Sequence, residues 1–430
     1  MQAVGLLDEA TSVVVHGLFG GEEFPGPATL DQDAFVRLDR IARQSPLHVA
    51  NLTETAHAVQ EVFPGVPARL AFETSFFGDL PARERTYAMS PELVQKLALR
   101  RWGYHGLFHE AASLEASRGW RKRGCDQPAR ILSICLEAQP EIAGVLGRRP
   151  ITVTSGATPL EGLPGETNSG EIDPAVALAL AGEAGLGPEG ANALLVGGSG
   201  LSGLVGHRVR LDHVLTSGRS DCVRARDVLL YRMVLASGAA AAGLGGLDVV
   251  VFSGRYASCS AVVAQHVLPH LDRAGVLGPH AAEWTVLSQP LEAILADTAC
   301  VQVEGQGLTL VGRADVLDVG RRGRGHAGAH VEIRMGSAEV ALRRLAHVEP
   351  IQWVVHQRVD PTARRDGRCV DTDLVRQPNH QFLAPIAQDV RNRFCVSGPR
   401  TRLHQLGQTA GRAIPSVDVN TIVAREFVGY

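Results

Sequence analysis

At 430 residues the chain is long enough for two or three domains with separate apolar cores, and its 45% hydrophobic content excludes a disordered polymer. A net charge of -3 and a pI near 6.6 give no global field for nucleic acid or an anionic membrane, so any anionic ligand must be small and locally recognised. Lysine occurs only at Lys96 and Lys122, which makes nearly all positive charge arginine and reads as compositional bias.

The cysteines, Cys125, Cys135, Cys222, Cys259, Cys300, Cys369 and Cys395, form no CxxC pair and are odd in number, so neither a zinc knuckle nor a disulfide framework is signalled. A reduced, cytoplasmic protein is predicted. The first residues lack the basic and apolar regions of a signal peptide, and no later run of membrane-spanning length is free of charges or glycines.

In chain order, Ser12 to His16 is a β-branched run ended by the glycine-rich turn Gly17 to Gly21, and Leu30 to Arg43 then carries helical apolar spacing. Asn51 to Phe63 predicts a second amphipathic helix, Ala68 to Thr74 a strand, and Pro91 to Arg101 a helix with Ser90 as N-cap. Arg130 to Leu136 and Ile151 to Thr154 predict strands. Asp173 to Ala184 predicts an alanine-rich helix, and Val228 to Leu244 a long buried helix leading into the strand Asp248 to Phe252. The alternation of strand and helix predicts an α/β fold with a partly parallel sheet. Beyond Gln306 the polar, glycine-rich run Arg321 to His326 marks a linker; it is short and lacks interleaved aromatics, so it reads as a solvated loop rather than an RNA-contacting tail. Ala329 to Ser337 and Ile351 to Val359 predict two further strands.

Neither lysine follows the glycine pattern of a P-loop. Gly198-Ser199-Gly200-Leu201-Ser202-Gly203 matches GxGxxG after the apolar stretch Ala193 to Val196, the context a dinucleotide-binding oxidoreductase requires. No second strand ending in an acidic residue follows, and 47 glycines make a chance match easy, so this reading ranks low.

Six longer segments occur in order: Ser12 to Gly17 (SVVVHG), Ser45 to His48 (SPLH), Phe72 to Phe77 (FETSFF), Arg100 to Gly106 (RRWGYHG), Thr158 to Pro174 (TPLEGL and SGEIDP) and Gly245 to Gly254 (GGLDVVVFSG). Together they resemble the acetate kinase family over residues 11 to 305. The resemblance implies a two-lobed, ribonuclease-H-like duplicated fold shared with sugar kinases and actin, with ATP and Mg2+ as cofactors and a small carboxylic acid or acyl phosphate as substrate, in a homodimer. It divides the chain into a first lobe (1–75), a second lobe (76–288), a helix returning to the first lobe (289–305) and a C-terminal extension (306–430). The family's first strands have no counterpart before residue 11. The first lobe is therefore expected to be truncated, with a sheet edge that the extension covers.

By the same resemblance, His105 stands where the family donates to the transferring phosphoryl group, and Glu73 stands where it has an aspartate near the acyl carboxylate. Val15, Leu47, Tyr104 and Pro159 would line an apolar substrate pocket. Val13 and Asn168 replace the two substrate arginines, whose fixed charge offsets repulsion in phosphoryl transfer. Glu137-Ala138-Gln139 replaces the phosphate loop, putting a carboxylate where phosphates would lie. In the nucleotide loop, Ser253, Gly254 and Arg255 lead into Tyr256-Ala257-Ser258-Cys259 without the family's further glycines. His207 and Val209 replace the polar pair expected near adenine, and the glutamate expected to organise magnesium has no counterpart near Ser288 to Leu291.

Taken singly, Val15, Leu47 and Pro159 read equally well as core, His105 as a satisfied buried histidine, and Glu73 as a partner of a helix terminus. The predicted protein is an acetate kinase homologue of weak or no activity. Two alternatives stay open: a surviving enzyme in which Arg101 or Arg255 substitutes for the lost arginines, and a non-catalytic module that senses a metabolite or docks a protein partner.

Overall fold

The computed structural model describes residues 12–44, 46–281 and 283–304, with the strands at 352–357, 395–396 and 420–425. Two mixed sheets organise it. The first contains β1 (Ser12–Gly17), β2 (Ala28–Thr29) and β3 (Ala68–Phe72). β1 pairs in parallel with β3, Val13 opposite Ala68 and Gly17 opposite Phe72, and β2 lies antiparallel on the far edge of β3. Helices α1 (Gln32–Gln44) and α2 (Pro46–Val62) cover one face. Because strand side chains alternate, Val13 and Val15 point together into that face, where they are buried with Phe24, Leu38, Leu52, Leu70 and Phe72.

The other edge of β1 is paired. β9 (Gln352–Gln357), β10 (Cys395–Val396) and β11 (Asn420–Arg425) extend the sheet in the order β10-β9-β11-β1-β3-β2. β11 runs parallel to β1, from Ser12 opposite Thr421 to His16 opposite Arg425, and β9 lies antiparallel outside it. The strand expected at Ile351 to Val359 is β9, although it meets β11 rather than β1. The strand expected at Ala329 to Ser337 lies outside the described residues.

The second sheet has the order β6-β5-β4-β7-β8, from β4 (Arg130–Cys135), β5 (Glu141–Leu146), β6 (Arg149–Val153), β7 (Val249–Ser253) and β8 (Trp284–Val286). β4 and β7 are parallel neighbours, and β4-β5-β6 is an antiparallel meander. One face buries Leu132, Ile134, Val250 and Phe252 against the long helix Ser220–Leu244 and the helix Ser260–Arg273. The opposite face buries Ile131, Ala143, Val145 and Val251 beneath Ala112 and Ala116 of the helix Gly106–Lys122. A further cluster joins the two sheets: Val14 and Ala71 of the first are buried with Cys135 of the second, Leu107 and Phe108 of the helix Gly106–Lys122, and Leu291, Ile294 and Leu295 of the helix Leu291–Glu304.

Several sequence expectations need correction. The helix begun at Pro91 stops at Lys96 rather than Arg101, because Ala98 turns left-handed (φ 49°) and the Leu99 amide reaches back to the Val94 carbonyl. Ser90 does cap it, accepting from Leu93 N. The helix predicted from Val228 starts eight residues earlier, at Ser220, where charged residues on its solvent side hide the apolar period. This helix is long and apolar enough to cross a membrane by length and composition, yet Leu229, Leu230, Met233 and Ala240 are buried against the sheet. Finally, Ala193 to Val196 belongs to the helix Gly187–Gly197, so the GxGxxG segment follows a helix. A dinucleotide fingerprint requires a strand there, and the oxidoreductase reading loses its structural context.

Candidate functional site

The start of the helix Gly106–Lys122 is where the sheets converge, and two buried carboxylates hold it. Glu73 follows β3 and is 2% exposed. Its Oε1 lies 2.8 Å from His16 Nε2, and its Oε2 accepts from the Leu107 amide at 3.1 Å. Burial alone would raise its pKa, but the bond and charge of His16, the charge of His105 and the Leu107 amide together hold it below the ordinary carboxylate value. The approach is so tight that a Cβ on Gly106 would stand 2.0 Å from the Glu73 carbonyl oxygen. Glu73 is therefore a tie between the lobes and a helix-terminus partner.

Glu141, at the start of β5, is 0% exposed and accepts from the amides of Tyr104 (2.9 Å) and His105 (3.0 Å). His109 Nε2 stands 3.3 Å from its Oε1, at ion-pair distance though out of line for a hydrogen bond, while His109 Nδ1 meets Ser133 Oγ at 2.8 Å. Burial works to raise the Glu141 pKa. The approach of His109 and the charges of His105 and His109 overcome it and bring the carboxyl down to about 2. Nothing local marks Glu141 in the sequence, because the amides it serves lie 36 and 37 residues away.

His105 itself is the N-cap residue of the helix, and its Nε2 lies 2.9 Å from the Gln139 carbonyl oxygen, a contact in which the ring nitrogen donates. Gln139 Nε2 donates to the Pro159 carbonyl, and Tyr104 Oη donates to the Ala157 carbonyl at 2.6 Å. Tyr104, His105 and Pro159 are thus brought to one place, but their polar atoms are used within the chain. Val15 is buried beside Val13 in the core between the first sheet and its helices, and the side chain of Leu47 lies outside the described residues. The expected four-residue apolar pocket is not assembled: Val15 alternates onto the core face of β1. Asn168 is buried in the turn that joins Gly165 N to its own carbonyl, with Nδ2 unpartnered.

Both arginines suggested as substitutes are paired. Arg101 lies 2.5 Å from Glu161, which also accepts from Tyr87 Oη at 2.5 Å. Arg255 donates its amide to Glu137 Oε1 at 2.7 Å and its Nε to Glu137 Oε2. Arg100 stacks over Trp102 at 3.8 Å and donates to the Phe77 carbonyl at 3.2 Å. Among the described residues, no guanidinium is hydrogen-bonded to His105.

Ser253 ends β7 with its side chain fully buried, and its carbonyl accepts from Leu136 N at 2.8 Å. Gly254 has φ 93°, and a Cβ there would stand 2.6 Å from the Leu136 carbonyl oxygen. An open cavity of about 700 Å³ is lined by His207, Arg208, Val209, Arg210, Asp212, His213 and Thr216. A larger one of about 850 Å³ lies over β5 and β6 against the long helix, with Arg83, Arg101 and Arg232 around Val153, Leu163 and Leu235. Neither is lined by His105, Glu73, Val15, Tyr104 or Pro159.

The Glu137 carboxylate and the paired Arg255 guanidinium lie just beyond the ends of β4 and β7, and among the described residues no cluster of three His, Cys, Asp or Glu side chains could hold a metal ion.

A family model described as the acetokinase family matches residues 5–301. The chain is 32% identical over 267 residues to an acetate kinase of Coprothermobacter proteolyticus, covering 61% of this chain and 66% of that protein. It is 35% identical over 265 residues to an acetate kinase of Clavibacter michiganensis subsp. michiganensis, with the same 61% and 66% coverage. It spans just under two thirds of the length of these relatives. Among solved structures it is similar to the Porphyromonas gingivalis acetate kinase, with a TM-score of 0.57 at 25% identity over 69% of this chain and 79% of that one. A propionate kinase from Francisella tularensis subsp. tularensis gives a TM-score of 0.60 at 21% identity, over 69% and 80%, a likeness of fold alone. The two convergent sheets, the six collinear segments and the extent of the match agree: the architecture is the two-lobed acetate and sugar kinase/actin fold, and this chain belongs to the acetokinase family.

Proposed function

We propose that this family member has lost ATP:carboxylate phosphoryl transfer and keeps the two-lobed scaffold as a non-catalytic module that takes a small carboxylic acid or acyl phosphate, or docks a protein. In-line transfer between anions requires fixed positive charge at the reacting oxygens. The observation that carries the reading is the Glu137–Arg255 pair: the substitute guanidinium nearest the nucleotide loop is bound to a carboxylate of the former phosphate loop. The Arg101–Glu161 pair and the His105–Gln139 contact support it.

A homodimer is favoured by Val228, Tyr231 and Leu235, large apolar side chains exposed on the long helix. A reduced, cytoplasmic setting is favoured by the free thiols Cys125, Cys135, Cys222 and Cys259. The division into lobes at 1–75 and 76–288, with a linking helix to 305 and segment 306–430 completing the first lobe, is favoured by the pairing of β11 with β1.

The test is calorimetric titration of the full chain with Mg·ATP and Mg·ADP, beside an acetyl phosphate turnover assay. No heat and no turnover are expected. Nucleotide binding accompanied by turnover overturns the reading and reinstates an enzyme that uses Arg101 or Arg255.

A further inference from the structure

The carboxyl ends of β4 and β7 are parallel neighbours, the position where open α/β sheets receive ligands. Two side-chain carboxylates sit beside those ends, each cradled as a bound anion would be. Glu137, nearly fully buried, receives the Arg255 amide at 2.7 Å and the Arg255 Nε. Glu166 receives the Leu211 amide at 2.9 Å and Tyr256 Oη at 2.7 Å, with Arg210 over the Tyr256 ring. The cradles are joined, because the Glu166 amide donates to the Ala138 carbonyl at 2.7 Å. A backbone N–H aligned with a side-chain donor is the arrangement by which proteins bind oxyanions. At Gly254 the left-handed turn presses the loop onto Leu136 and turns the next amide toward Glu137.

We propose that Glu137 is an internal anion filling an oxyanion subsite built by the amide and guanidinium of Arg255, and that this subsite takes a phosphoryl or pyrophosphoryl group when the carboxylate is neutralised or removed. The inference deepens the reading above, on which it rests: Glu137 occupies the donors of Arg255 that an external oxyanion would use. Glu137 excludes external anions twice, by occupying the donors and by repelling a second negative charge.

The test uses metal-free pyrophosphate as probe, titrated calorimetrically into the full chain and into Glu137→Gln and Glu137→Ala, with thermal melts to verify folding. Glu137→Gln keeps the shape and hydrogen-bonding reach of the side chain, so it carries the measurement should the alanine variant unfold. Both variants are expected to bind pyrophosphate at least about tenfold more tightly than the unchanged chain, and adding Arg255→Ala is expected to remove the gain. Equal affinity in the unchanged chain and Glu137→Gln, or a gain that survives loss of Arg255, overturns the proposal. Turnover of Mg·ATP by the unchanged chain overturns the preceding functional reading instead, so the two failures are distinguishable.

Discussion

Replacing Glu141 by glutamine removes one negative charge from the centre of the molecule while keeping its volume. Each pKa unit is worth about 1.4 kcal/mol, so a carboxyl displaced from its ordinary 4.5 to about 2 contributes about 3 kcal/mol to stability at pH 7. A depressed carboxylate pKa means that this contribution is full above the unfolded value of 4.5 and is lost as pH falls toward the folded value of about 2. Glu141→Gln is therefore expected to lose about 3 kcal/mol in urea unfolding at pH 7, and its deficit against the unchanged chain narrows progressively below pH 4.5. Hydrogen exchange supplies a local readout, because the Tyr104 and His105 amides donate to this carboxylate and should exchange faster in the variant. A deficit below about 1 kcal/mol, or one that does not narrow on acidification, would refute the assignment of Glu141 as a charged anchor of the helix start.

Three further outcomes are expected. Phe72→Ala removes a ring that is 1% exposed and stacked on Phe24 at 4.6 Å, and urea denaturation should show a loss of about 3–5 kcal/mol. Gly254→Ala forces a Cβ against the Leu136 carbonyl at φ 93°; a thermal melt should register about 1–3 kcal/mol of destabilisation, and the Arg255 amide should exchange faster. Asp248→Asn weakens the fork with Arg130 that ties β4 to β7, and because the pair is partly exposed, denaturation should show a loss of only about 1 kcal/mol.

The elements legible in the sequence were those whose signal is local. β1 shows its β-branched run, β7 follows a long apolar helix, and Ser90 and Asp173 lie immediately before a proline at a helix start, where each accepts an amide from the first turn. The family was legible because its motifs are contiguous and collinear. Element ends were less so: the Pro91 helix breaks at a left-handed alanine that no propensity marks, and of the GxGxxG glycines Gly198 lies between two helices while Gly200 and Gly203 belong to the second, Gly200–Val205.

By itself, the sequence determined the α/β class and the family. Only the tertiary structure decided which distant residues meet. Sequence order cannot reveal that Glu137 and Arg255, 118 residues apart, close on one another, or that Val15 joins the core rather than a pocket. Nor can it reveal that Glu73 and Glu141 hold the helix start of His105 from opposite sheets, or that β11 pairs with β1 from the far end of the chain. The physical reason is the same in each case. A charge or an open strand edge is satisfied by whatever partner folding brings within hydrogen-bond reach, and that partner is fixed by the packing of whole sheets rather than by its neighbours in the chain.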